Sequence, residues 1–161
     1  MIDKIKSNIV LVVIGVIFVA FLIFISYPYF MQIQNLEKVN ISINGKKISV
    51  EMADTYEKQV RGLMFHEPLK EDEGMLFVYG KEGYYGIWMP NMSFAIDILW
   101  IDKNSNIIHI ERNVQPCESM PCKSYRAVKP SLYVLEMKAN SSLDIKVGDK
   151  VDMSSMHVHQ T

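Results

Sequence analysis

One unbroken apolar run and a series of two-residue alternations organise the chain. Ile9 to Ile25 is seventeen consecutive residues without a charged or polar side chain, interrupted only by Gly15. With Tyr27-Pro28-Tyr29-Phe30-Met31 behind it, the segment reaches the ~20 residues that cross a bilayer as a helix. A cleaved signal peptide has a shorter apolar core and a small-residue exit. Here the exit is Ser26-Tyr27-Pro28-Tyr29-Phe30, so an uncleaved anchor is expected. Lys4 and Lys6 precede the run, while Glu37 and Lys38 offset each other after it. That asymmetry predicts a cytoplasmic N-terminus, with residues 36–161 outside.

Alternation takes over at VNISI, Asn44-Gly45, KKISVEMA. An Asn-Gly pair between such segments predicts a type I′ hairpin. It pairs Ile43 with Lys46 and Ile41 with Ile48, placing Ile41, Ile43, Ile48, Val50 and Met52 on one face. ADTYEKQVRGLM then predicts a short helix capped by Asp54 or Thr55, with Glu57 closing a capping box and Gly62 ending it. Further strands are expected at 74–80, 84–89, 93–101, 107–113, 131–139 and 150–153, with a proline-rich loop over 114–130. The pattern reads as an all-β sandwich or barrel of about seven or eight short strands with one helix. The organisation is a stub and transmembrane anchor (1–31), a connector (32–38), a β domain (39–153) and a tail (154–161).

Two carboxylates interrupt apolar strands. Asp97 lies in SFAIDILWI and Glu136 in YVLEM. A buried carboxylate without a partner costs several kcal/mol or becomes protonated. Arg61, whose planar fork suits a carboxylate, is the expected partner of Asp97. The group is either a structural Arg–carboxylate cluster or a polar pocket that positions a ligand. The candidate pocket residues are Arg61, Trp88, Met89, Asn91, Asp97 and Glu136, with Trp88-Met89-Pro90-Asn91-Met92 as its rim.

Five stretches in order, DTYEKQVRGLMF (54–65), GMLFVYG (74–80), IWMPNMSFAIDILWID (87–102), QPCESMPC (115–122) and YVLEMKA (133–139), resemble DUF192, a small prokaryotic family also called UPF0127. The resemblance spans 40–153. It implies a compact β-barrel or jelly-roll-like sandwich and no particular activity. Where the family commonly shows Trp-Met-Lys-Asn-Thr, this chain has Trp88-Met89-Pro90-Asn91-Met92; a cation has become proline and a hydroxyl a thioether.

Composition narrows the function further. Net charge is −1, and no basic cluster, Walker motif or Rossmann glycine pattern occurs, which argues against nucleic acid as a partner. Cys117 and Cys122 fall in the exported part and are expected to form a disulfide. Met153, Met156, His157 and His159 supply thioether and imidazole donors that suit copper(I). No Gly-x-Ser-x-Gly element or nucleophile–base constellation stands out. The first expectation is therefore a membrane-anchored, extracytoplasmic, non-enzymatic binding or accessory module, possible partner of a larger membrane complex. The alternatives are copper handling and an enzyme using Arg61, Asp97 or Glu136. A strongly shifted carboxyl at the floor of an open pocket would favour the enzyme.

Overall fold

The computed structural model describes the backbone of residues 2–34 and 36–159, and side chains over 11–27 and 36–156. The chain forms two compact units, Met1–Leu36 and Glu37–Thr161. The first is one helix, α1 (Ile2–Gln34), which continues through Pro28 into the expected connector. Among the described residues no helix is long and apolar enough to cross a membrane. The stretch with described side chains, 11–27, is shorter than the ~20 residues a span needs. The rest of the expected anchor, 1–10 and 28–31, lies outside it.

The second unit is built on a seven-stranded sheet: β1 (Lys38–Ile43), β2 (Lys46–Ala53), β3 (Glu73–Gly83), β4 (Ile96–Ile101), β5 (Ile107–Val114), β6 (Ser131–Lys138) and β7 (Val151–Asp152). Their order is β5-β4-β6-β3-β2-β1-β7. The first hairpin has the predicted register, Ile41 opposite Ile48 and Ile43 opposite Lys46. Its turn is made by Asn44 at φ 52° and Gly45 at φ 81°, the left-handed pair that a type I′ turn requires. β2 and β3 are parallel, so the chain must cross over between them, and α2 (Tyr56–Arg61) lies in that crossover.

Thr55 caps α2, its side chain accepting from the Lys58 N–H. With Thr55 as cap, the third helical position is Lys58 rather than Glu57, so the expected capping box does not form. Asp54 instead pairs with Lys58 at 2.7 Å. Gly62 ends the helix at φ 48°. A Cβ there would meet the Phe77 ring at 3.2 Å, so both the backbone and the packing call for glycine.

The expected strand at 84–89 is absent; Ile87 makes only an isolated bridge to Tyr125. Gly83, Gly86 and Pro90 interrupt that stretch, and the apolar residues between them belong to a covering segment. The next strand begins at Ile96 rather than 93, because a turn with Asn91 at φ 54° precedes it.

The layers also differ from a two-sheet sandwich. A single sheet curls until its two ends meet near their tips. The Ile107 N–H donates to the Asp149 carbonyl at 2.9 Å, and the Val151 N–H to the Ser105 carbonyl at 2.8 Å. The result is an all-β half-barrel. Its concave side holds a core that includes Ile41, Ile48, Leu76, Leu99, Leu135 and Met137. Alternation puts Met75, Phe77, Ile98, Trp100 and Glu136 on the opposite face, and these are buried as well. α2 and the segment after β3 lie over that second face.

Candidate functional site

Glu136 occupies the middle of β6, opposite Met75 of β3 and Ile98 of β4. It is 4% exposed. Among the described residues no hydrogen bond or ion pair reaches its carboxyl. Burial alone pushes that carboxyl up to about 8, because a charge in an apolar setting loses its hydration. At neutral pH it is mostly protonated. The neighbouring Tyr79 phenol is also held well above its ordinary value, first by burial and then by the charges of Glu136 and Tyr85.

A cavity of about 60 Å³ opens beside Glu136, room for roughly four water-sized groups. Phe77 and Tyr79 of β3 form one wall, Gln59 to Met64 a second, and Ile87 to Met89 with Met92 a third. Gln59 is fixed by donating to the Val78 carbonyl at 2.8 Å. Arg61 is half-buried on the wall, and its guanidinium has no ion pair or hydrogen bond among the described residues.

The third wall is irregular backbone, yet it is tied down at several points. Ile87 and Tyr125 exchange two N–H···O bonds of 2.8 Å. The Cys117 N–H donates to the Met89 carbonyl at 2.9 Å, and the Phe65 N–H to the Asn91 carbonyl at 3.0 Å. The Trp100 indole N–H donates to the Tyr85 carbonyl at 2.9 Å, and the Tyr79 and Tyr85 rings stack 3.4 Å apart. Cys117 and Cys122 are joined, as expected from the sequence, so the disulfide loop braces the backbone at Met89.

Four of the six candidate pocket residues, Arg61, Trp88, Met89 and Glu136, line this one cavity. Asn91 does not line it; its amide donates weakly to the Met64 sulfur at 3.7 Å, beside the mouth. Asp97 is a correction. It shares the concave face with Leu99 and Ile101, the face away from Glu136, since Glu136 stands opposite Ile98. Nor does Arg61 neutralise it. Its oxygens accept from the Asn113 N–H at 2.8 Å and from the Ser142 N–H and hydroxyl at 3.1 and 2.7 Å. Three donors at a turn satisfy that carboxylate without a cation.

Sequence reasoning missed Gln59, Met64, Phe77 and Tyr79. The one available signal was the crossover from β2 to β3, which returns the helix end over alternate residues of β3. Of the residues proposed for copper, Met153 is buried in the core and Met156 packs against it. The side chains of His157 and His159 lie outside the described residues. Among the described residues no group of three or more His, Cys, Asp and Glu side chains is placed to hold a metal.

Residues 39–153 match the family DUF192, described as "Uncharacterized ACR". No curated protein matches the chain. Among solved structures, one of a protein of unknown function from Novosphingobium aromaticivorans is 30% identical, with a TM-score of 0.67. The match covers 73% of this chain and 86% of that one. A second, described as a "putative transcription regulator" from Sinorhizobium meliloti, is 27% identical with a TM-score of 0.68. It covers 73% of this chain and 95% of the other.

Proposed function

We propose, from the premise that this chain belongs to the DUF192 family, that its β domain is a small-ligand-binding module carried outside the cytoplasm on an N-terminal membrane anchor. One observation supports binding above the rest: Glu136 is buried, lines an open cavity and has no partner among the described residues. A fold that needs only stability satisfies such a group, as it does Asp97, or replaces it with an apolar residue. Glu136 has an environment suited to a partner that arrives from outside.

Support for the anchor comes from the run Ile9–Ile25 behind Lys4 and Lys6. The described part of α1, residues 11–27, is exposed along its whole length. The Cys117–Cys122 bridge suits an oxidising compartment. Anchored helices of this kind commonly pack against other spans, which gives the module a route to a larger membrane complex.

The test uses the full chain in detergent micelles and a fragment set of amines, acids, zwitterions, amides and sugars. Trp88 stands half-exposed at the cavity and Trp100 is buried, so a ligand at the mouth changes the emission of Trp88. Fragments that shift this emission in the wild type, and fail to do so in Glu136→Leu, are the expected result. A set with no such member removes the binding reading. For the anchor, protease added to intact cells should digest the β domain from outside; its full protection would contradict the orientation.

A specific observation also favours a second reading. A carboxyl held near 8 is matched to general acid–base work near neutral pH. Turnover of a bound fragment, abolished in Glu136→Gln with binding retained, would replace the binding module with an enzyme.

A further inference from the structure

An ionisable carboxyl and a guanidinium that line one cavity are left unused by the fold. Among the described residues neither Glu136 nor Arg61 has a hydrogen-bond or ion-pair partner, and both line the same cavity without forming an ion pair with each other. No direct contact joins them, and the cavity of about 60 Å³ that both line is open beside them. A molecule of a few heavy atoms with a cation at one end and an anion at the other bridges two such groups. The remaining wall is soft and apolar: Phe77, Trp88, Met64 and Met92. Aromatic faces favour an ammonium group, and thioethers adapt to varied aliphatic shapes.

We propose, resting on the binding reading above, that the ligand is a free α-amino acid with an apolar side chain. Its ammonium sits on the Glu136 carboxylate, its carboxylate on the Arg61 guanidinium, and its side chain lies against Met64, Trp88 and Met92. A neutral amide or a sugar uses only one of the two charges. A peptide N-terminus lacks the carboxylate.

The pairing couples binding to a proton. Glu136 must ionise to hold an ammonium, so each binding event near neutral pH releases one proton from its carboxyl. Among the described residues, the other titratable or charged groups at the cavity are Tyr79 on β3, Tyr85 stacked on Tyr79, and Arg61 at the end of α2; Glu51 on β2 and Glu111 on β5 share the sheet face two strands away. Burial holds the Tyr79 phenol well above its ordinary value, so Glu136 sets the pH dependence at this cavity. Because the carboxyl ionises at about 8, affinity rises roughly tenfold per pH unit between 6 and 7 and levels off above 8.

The experiment is isothermal titration of the full chain in micelles with leucine, leucinamide (ammonium alone), 4-methylpentanoate (carboxylate alone) and the neutral 4-methylpentanamide. Leucine is expected to bind at least tenfold more tightly than the other three. Glu136→Gln and Arg61→Gln should each weaken leucine at least tenfold. The heat at pH 7 should depend on the buffer's ionisation enthalpy, showing the released proton, and Glu136→Gln should lose that dependence. No binding of leucine, or equal binding by wild type and Glu136→Gln, overturns the proposal. If the neutral amide binds and leucine does not, the ligand class is wrong while the cavity remains a binding site. If none of the four binds and no fragment shifts Trp88, both readings fall.

Discussion

Glu136 and Asp97 lie on neighbouring strands, both buried, on opposite faces of one sheet. Asp97 receives three hydrogen bonds from Asn113 and Ser142, and removing it strands those donors in the interior. Asp97→Ala should therefore cost about 3 kcal/mol in urea denaturation; a loss under about 1 kcal/mol would show that the turn relaxes around it. Glu136 behaves in the opposite sense. Its unfolded carboxyl ionises near 4.5 and its folded one near 8. Between those values the folded state holds more protons, so stability falls as pH rises through the window, by on the order of 5 kcal/mol. Glu136→Gln should flatten that fall and be the more stable protein at pH 8. His66 adds a slope of the same sign. A hydrogen bond to Glu51 raises its titration above 6.5; the stability it contributes is complete below that value and lost as pH rises through the raised one. His66→Ala should remove this part alone in thermal melts. Both carboxylates were legible as lone charges in apolar runs. The partners of Asp97 were not, because it is held largely by backbone donors, one from a residue 45 positions away. The face each carboxylate points to depends on the β4–β6 register.

Elements were read best where local chemistry decides them. The Asn44-Gly45 turn set the first hairpin and its register, and Gly62 ended α2. Reading failed where tertiary packing overrides local pattern. YYGIWM alternates like a strand, but its apolar residues cover the sheet instead of extending it, held by Tyr125, Cys117 and Phe65. The disulfide shows the consequence. It closes a loop with a sequence separation of only 5, so its effect on the unfolded chain is about 2 kcal/mol. Its larger role is at Met89, whose carbonyl it holds through Cys117. Reduction should lower the melting temperature by a few degrees while shifting Trp88 emission and weakening any cavity ligand. An unchanged Trp88 spectrum would mean that the wall stands without the bridge. Gly62→Ala should cost about 1–2 kcal/mol, since it forces an L-residue to φ 48° against Phe77.

At the scale of the molecule, an all-β domain was legible from strand count and turn spacing, but its layering was not. Alternation along a strand shows that both faces are covered without showing what covers them. A half-barrel with α2 and loop segments over its convex side leaves the same trace in the sequence as a second sheet. The architecture matters for function because that cover is where an opening forms beside Glu136. The most direct measurement is a carbon-13 titration of the Glu136 side-chain carboxyl in the full chain, assigned with Glu136→Gln, from pH 4 to 10. A midpoint near 8 that moves down when leucine is added is the predicted result. An ordinary midpoint near 4.5, unmoved by leucine, would mean that Glu136 is solvated or paired and that the cavity is not the site.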